Sequence, residues 1–475
     1  MLFPTVDFAL FFVLVFVGHW LLNHRLQMWK WFMIGASYVF YAWWDWRFVP
    51  LLAGVSAITQ LGALAVSRTS GKRARGWVIG LACATILAPL AYFKYYGFLS
   101  LTVTNSLGSL GLSSPFPLAQ VLLPVGISFF TFMAISYVVD VHRGETRVAT
   151  TLDVFLYLSF FPHLVAGPIV RPNELIPQLK VRRDPRRIDV AGGAWLIMGG
   201  LFKKIVISSF LGAQLVDPVF GDPARHSALE ALFAIWGYAV VIYADFSGYT
   251  DIAIGVAQFL GFEFPRNFDR PYSARSIQEF WRRWHMTLSR WLRDYLYIPL
   301  GGNRRGERRA YVNVMLTMAL GGLWHGAAWT FVVWGALHGG YLAAGRLMRA
   351  RREARRLPTP PETLARMWLQ RAVAFHLVCL GWVFFRADSI ATAGSLLGRL
   401  VMGWAQPTIL VTPGVVIAIA LTLGLQFAPR APAGYVKSWL AGLRPVPMGL
   451  ALAFGLFAIT AMGPRGVAPF IYFQF

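Results

Sequence analysis

Hydrophobic residues come in runs along this chain, and most of the runs are of bilayer length. They cover Val6–Leu22, Trp31–Trp44, Phe48–Ser67, Trp77–Phe98, Val121–Val141, Leu152–Val170, Ala191–Val216, Ala228–Phe262, Tyr311–Gly345, Ala372–Phe385, Ile409–Phe427 and Pro447–Met462. Spanning backbone must satisfy its own hydrogen bonds, which leaves helices or a closed barrel. Barrel strands would alternate over segments of about ten residues, and these runs do not. The pattern predicts an all-α polytopic membrane protein with about 11 transmembrane helices, each of roughly 20 apolar residues, plus re-entrant or interfacial helices. Tyr311–Gly345 is long enough to fold as two helices about a turn at Leu323–Ala328.

Charge between the runs sets an orientation. Asn23–Lys30, Arg68–Arg75, His142–Arg147, Arg171–Arg187, Arg266–Arg309 and Arg346–Arg371 are basic, the mark of cytoplasmic loops. Leu101–Gln120 carries no charge and is expected outside. Leu152–Val170 lies between two basic loops and contains Pro162, His163, Gly167 and Pro168. It reads as re-entrant or broken, and irregular backbone at membrane depth usually lines a cavity. With Tyr311–Gly345 also returning to its starting side, both termini are expected outside. The first run lacks a basic leader and a small-residue cleavage site, so it reads as a retained helix and not a signal peptide. One integral-membrane domain is expected: N-terminal helices over 1–120, a core over 121–345, a cytoplasmic linker over 346–371, and C-terminal helices with an exposed tail over 372–475.

Composition narrows the class. The chain is 57% hydrophobic and 14% charged, against roughly 25% charged in soluble domains. The net charge of +23 would raise the question of nucleic acid in a soluble protein. Here the arginines sit in short loops between apolar runs, so a nucleic-acid partner is excluded. The basic loops suit membrane lipids or an anionic cytosolic ligand instead. Cys83 and Cys379 both lie inside apolar runs, which gives neither a disulfide framework nor a metal site. No phosphate-binding loop, zinc-protease motif or nucleophile elbow occurs.

The candidate chemistry concentrates between residues 279 and 326. His325 stands in Gly321-Gly322-Leu323-Trp324-His325-Gly326, far from any lysine or arginine. A buried imidazole needs a partner, and an ionisable group at membrane depth is a functional candidate; packing glue is the alternative. His285 falls in Glu279-Phe280-Trp281-Arg282-Arg283-Trp284-His285-Met286-Thr287-Leu288-Ser289. Trp281, Trp284, Leu288, Trp291 and Tyr295 recur at helical spacing, so this stretch is expected to be one helix carrying His285. An interfacial amphipathic helix explains the tryptophans and arginines but not His285 with Ser289 one turn on. His338 and His163 are weaker candidates, and His19, His24 and His376 look structural or interfacial. Asp245 and Asp251 interrupt the long run at 228–262. They are expected to pair with arginine from the basic loop or to orient a catalytic region.

These runs resemble a known family. Phe280-Trp281-Arg282-Arg283-Trp284-His285, Trp291-Leu292-Arg293-Asp294-Tyr295-Leu296-Tyr297-Ile298-Pro299-Leu300-Gly301-Gly302-Asn303 and Leu323-Trp324-His325-Gly326 look like membrane-bound O-acyltransferases. Within them they look like the bacterial branch that holds the alginate O-acetylation membrane subunit. Leu123–Phe132, His163–Ile169 and Tyr243–Tyr249 fit the same pattern. The resemblance implies transfer of acetyl from cytosolic acetyl-CoA, a donor substrate and not a tightly bound cofactor, across an inner membrane to an exported polysaccharide. It implies His325 as the embedded catalytic histidine and His285 as the second family position. A neutral imidazole there would act as general base. Trp281, Arg282, Arg283, Trp284, Arg304 and Arg305 are expected to bind the donor, with arginines on its phosphates.

The chain ends Ala468-Pro469-Phe470-Ile471-Tyr472-Phe473-Gln474-Phe475. This tail resembles that of the small protein of teichoic-acid D-alanylation systems, where a tyrosine hydroxyl takes the acyl group. Tyr472 is therefore a candidate acyl acceptor on the exit side; an interfacial aromatic anchor is the alternative. A periplasmic SGNH-type partner of esterase fold is expected to complete the transfer. Acylation of a peptidoglycan, teichoic-acid or lipid acceptor stays open, as does a solute transporter built on Asp245, Asp251 and the broken segments.

Overall fold

The computed structural model describes residues 1–113, 117, 121–358, 361–429 and 431–464. Among them there are helices and loops and no strand. Six helices are long and apolar enough to cross a membrane, and three shorter apolar ones, Val6–Leu22, Ile390–Met402 and Pro413–Gly424, accompany them. The all-α membrane architecture expected from the runs is the one observed. The Tyr311–Gly345 run does fold as two helices, Glu307–His325 and Trp329–Ala354, about a turn at residues 326–328. The second helix carries on through the first part of the expected linker. By contact the chain divides into two compact units, Met1–Gly193 with Ile252–Pro265, and Ala194–Asp251 with Arg266–Phe475.

In the first unit, Ile127–Arg143 is buried over most of its length, from Ile127 to Val138 and at Asp140 and Val141. It packs on Val49–Arg68 and Lys72–Leu90. Some of the buried polar groups inside this unit are paired with one another. Lys30 forms a buried ion pair with Asp153. Tyr137 Oη donates to Gln60 Oε1 at 3.3 Å, accepts from the Ala149 amide at 2.8 Å, and Gln60 Nε2 donates to the Ala149 carbonyl at 3.0 Å. The Leu152–Val170 segment is broken, as its prolines and glycine suggest: Thr151–Ser159 ends, and a single turn Phe161–Leu164 follows. Two glycines permit the fold there. Gly126 has φ +75°, and a Cβ on it would lie 2.6 Å from the Leu164 carbonyl oxygen; one on Gly167 would lie 2.9 Å from His163 Cβ. His163 Nε2 donates to the Tyr157 carbonyl at 3.0 Å. Its ring is committed to holding the break.

In the second unit, Lys203 pairs with Asp251 and Lys204 with Asp245. The expected arginine partners from the basic loop are thus replaced by two lysines from the preceding apolar run. The physical reason is local geometry. The helix widens into a π-type turn over Phe202–Ser208, and both lysines reach the Ala228–Phe259 helix. Gly248 lets the two backbones close, since a Cβ there would lie 2.7 Å from the Gly200 carbonyl oxygen. The Tyr243–Asp251 stretch docks on this turn through Asp245, Gly248 and Asp251.

The Glu307–His325 and Trp329–Ala354 helices form the most extensively packed helix pair among the described residues. Small residues make this approach possible. Side chains on Gly322, Gly335 and Gly326 would collide with the Phe331 carbonyl, the Met318 carbonyl and the Phe331 ring respectively. Those glycines hold the end of the first helix, and with it His325, against the start of the second.

Candidate active site

His325 is the last residue of its helix and is 3% exposed. Its ring lies edge-on to Trp324, Trp334 and Phe385, with centroids 4.9, 5.0 and 5.1 Å away. Phe385 comes from the Leu364–Arg386 helix. Such edge contacts suit the ring quadrupoles and enclose the imidazole in apolar surface.

His285 is not on a helix. The expected continuous helix breaks at it, into Ile277–Arg283 and Met286–Leu292, with a π-type turn over Arg293–Tyr297. His285 has φ +41°, a left-handed conformation that non-glycine residues adopt at a cost of about 1–3 kcal/mol and that clusters at functional sites. The turn is held by a segment 18 residues earlier. Asn267 accepts from the Met286 amide through its carbonyl at 2.9 Å. Its side-chain oxygen meets His285 Nδ1 at 3.1 Å, the Thr287 amide at 3.2 Å and the Thr287 hydroxyl at 2.8 Å. His285 is fully buried. Burial pushes its imidazole down to about 3, so the ring is neutral at physiological pH. Phe246 stands edge-on to it at 4.6 Å, and Trp324 lies 5.9 Å away. Trp324 therefore touches both histidines.

His338 shares the neighbourhood but not the chemistry. Trp281 Nε1 donates to His338 Nδ1 at 3.3 Å. That nitrogen's lone pair is occupied, so His338 packs between Trp281, Trp334 and Phe280 with no base to offer.

Beside this cluster lies a cavity of about 500 Å³. Arg282, Arg290, Arg293, Arg346 and Arg349 line it, with Gln278, Ser289, Asn303 and Thr317; Trp281, Met286, Leu292, Val314, Met318 and Leu342 supply apolar wall. No carboxylate is among these residues. Arg346 is anchored by Glu307, at 2.8 and 3.0 Å, and by Asn303 at 2.9 Å. The arrangement can take up an anionic ligand with an apolar portion. Neither His285 nor His325 is on the wall. Trp281 is, and it contacts Trp334, which contacts His325.

The expected donor-binding residues divide. Trp281 and Arg282 line the cavity. Arg283 is turned to Glu279, at 2.8 Å, and to the Asp269 carbonyl. Burial works against the ionised Glu279, yet the Arg275 amide and the Arg283 guanidinium outweigh it and hold the carboxyl below its usual range. Trp284 is buried among Phe268, Phe280 and Trp382. Arg304 and Arg305 are exposed and are not among the lining residues. Tyr472 lies outside the described residues. Sequence spacing missed Asn267, Arg290, Arg293, Arg346 and Arg349 as site residues. Only the general basicity of 266–309 and 346–371 pointed toward them.

Known proteins give the geometry a lineage. The model of the membrane-bound O-acyltransferase family matches residues 113–385, which hold both histidines and all of the cavity. A probable alginate O-acetylase of Pseudomonas putida is 38% identical over the full length of both chains. A peptidoglycan O-acetyltransferase of Helicobacter pylori is 36% identical over 84% of this chain and 80% of its own. A teichoic acid D-alanyltransferase of Bacillus subtilis is 28% identical over 55% of this chain and 68% of its own. The chain belongs to the membrane-bound O-acyltransferase family and is a multi-pass membrane O-acyltransferase.

Proposed function

We propose that this enzyme moves acetyl from acetyl-CoA, taken up at the cytosolic face of a bacterial inner membrane, to an exported polysaccharide. The observation that carries the reading is the arginine-lined cavity beside the His285–Trp324–His325 cluster. The CoA phosphates suit the cavity guanidinium groups, which present planar, fixed donors; of the five, Arg293 also pairs with Asp294 and Arg346 with Glu307. The likeness to alginate O-acetylases along the full chain supports acetyl as the group and a polysaccharide as the acceptor. The likeness to a peptidoglycan O-acetyltransferase supports a second reading, with the cell-wall glycan as acceptor.

In the proposed step His325 takes the proton of the acceptor hydroxyl. The oxygen attacks the thioester carbonyl carbon, the C–S bond breaks, and the CoA thiolate leaves with the proton the imidazole returns. A neutral imidazole is the form this requires. Tyr472 is proposed as the first acceptor on the far side, with a periplasmic SGNH-type partner carrying acetyl to the polymer. The test is His325→Ala in the producing strain. Polymer-bound acetate, read by mass spectrometry, disappears while the protein stays in the membrane at its normal amount. Acetylation persisting in that variant overturns the reading. Inside-out vesicles given labelled acetyl-CoA test the donor and its side.

A further inference from the structure

We propose that Asn267 is a positioning residue: its side-chain carbonyl fixes His285 as the tautomer protonated on Nδ1 and leaves the Nε2 lone pair for the reaction. The inference rests on the reading that His285 belongs to the reaction centre.

The hydrogen bonds settle the tautomer by elimination. The Thr287 backbone amide can only donate, and it points at the Asn267 side-chain atom 3.2 Å away. That atom must be the oxygen, so the alternative amide orientation is excluded. An oxygen there can only accept, so His285 Nδ1, 3.1 Å from it, must carry the hydrogen. A neutral imidazole has one N–H. Its other nitrogen, Nε2, is therefore a lone-pair acceptor. Among the described residues Nε2 is buried and has no hydrogen-bond partner, and nor has the Asn267 amide nitrogen. The orphaned Asn267 nitrogen means that no contact rewards a flipped amide. The orphaned Nε2 is the costly feature. An acceptor left unpaired in apolar surroundings forfeits the hydrogen bond it had in water, and a substrate proton can restore it.

The same residue holds the backbone. Asn267 binds the Met286 amide through its main chain and clasps Thr287 through its side chain, on either side of the left-handed His285. His338 gives the contrast: there a tryptophan N–H occupies the lone pair. Two buried histidines a few residues from the same cavity wall are thus set to opposite tautomers by their neighbours.

The experiment uses the full chain in inside-out membrane vesicles from the producing strain, with labelled acetyl-CoA as probe. Three variants are compared with His285→Ala. In Asn267→Leu the acceptor is gone, and kcat is expected to fall at least about 100-fold, the direction and order of an imidazole left in the wrong tautomer. KM for acetyl-CoA stays within about twofold, because the cavity arginines are untouched. Asn267→Asp is isosteric and still accepts from Nδ1–H, so it keeps at least about a tenth of the wild-type kcat. Thr287→Val removes the hydroxyl contact but leaves Nδ1–H paired, and is expected within about fivefold of wild type. The proposal is overturned if Asn267→Asp falls as far as Asn267→Leu, or if Thr287→Val does, since either result makes the contact structural only. Full activity in Asn267→Leu also overturns it. Where Asn267→Leu fails to accumulate, the isosteric pair decides. Wild-type activity in His285→Ala refutes the role of His285 itself; loss in His285→Ala with activity retained in Asn267→Leu refutes the positioning alone.

Discussion

Gly322→Ala separates the role of helix approach from that of the imidazole. A Cβ on Gly322 would collide with the Phe331 carbonyl oxygen and sit 3.1 Å from the carbonyl carbon. Backbone cannot swing aside as a side-chain tip can. Restoring ordinary contact parts the two helices by about 1 Å, and overpacking of this kind costs about 1–3 kcal/mol. His325 lies three residues on, within one helical turn, so the displacement passes to the ring. A misplacement of about 1 Å can lower a rate about 100-fold. The variant is expected to accumulate at reduced level and to show roughly 100-fold less acetyl transfer per molecule.

Gly340→Ala is the control on the same hairpin. Nothing lies within 4 Å of a Cβ at Gly340, and alanine gains up to about 1 kcal/mol of helix propensity. Its specific activity is expected unchanged. The assay is polymer-bound acetate by mass spectrometry, divided by membrane protein from immunoblots. Wild-type specific activity in Gly322→Ala, or an equal loss in Gly340→Ala, refutes the argument that glycine contact sets the position of His325.

Other outcomes follow from the cavity, the ion pairs and the tail. Arg282→Ala is expected to raise KM for acetyl-CoA about tenfold, or about 1.4 kcal/mol, with kcat little changed; a fall in kcat alone would place Arg282 elsewhere in the cycle. Asp245→Leu removes the carboxylate paired with the buried Lys204 ammonium and is expected to cost about 3–5 kcal/mol, read as protein loss from the membrane, whereas Lys204→Met with Asp245→Leu recovers most of it. Equal loss in the single and double variants would deny that the pair is what matters. Tyr472→Phe is expected to abolish polymer acetylation without lowering protein level, and hydroxylamine-labile acetate is expected on the wild-type tail during turnover. Normal acetylation in the variant with no labile acetate in wild type removes Tyr472 from the pathway.

The spans were legible because run length decides them. Val6–Leu22 is the helix the run predicts, residue for residue. Ends were less so: the run beginning at Trp77 is a helix from Lys72, since basic residues at a helix start carry no apolar signal. The helices Ile390–Met402 and Ala431–Gly442 escaped notice because each is short and broken by polar or charged residues. His325 stood out by its isolation among apolar residues, and in the structure its ring packs against Trp324, Trp334 and Phe385. The break at His285 did not show, because its left-handed backbone is stabilised by Asn267 and not by its own neighbours. Likewise nothing local announces that Lys203 and Lys204 serve Asp251 and Asp245. Contacts made across the chain are where a linear pattern stops being informative.

The division of labour in the second unit follows from dielectric. On the proposed reading, donor recognition needs charge, and the five cavity arginines are at least partly exposed. Proton transfer needs the opposite, a dry site where a neutral imidazole is favoured and each dipole counts for more. Trp281, Trp324 and Trp334 stand between the two conditions, one ring on the cavity wall and the other two against the histidines. A tryptophan wall suits this boundary, because it is apolar enough to exclude ions yet able to donate one hydrogen bond. Trp281 has already spent its N–H on His338, which locks its ring in place. The same interaction that occupies the His338 lone pair therefore fixes the ring on the cavity wall; on the proposed reading that wall keeps guanidinium charge away from His325.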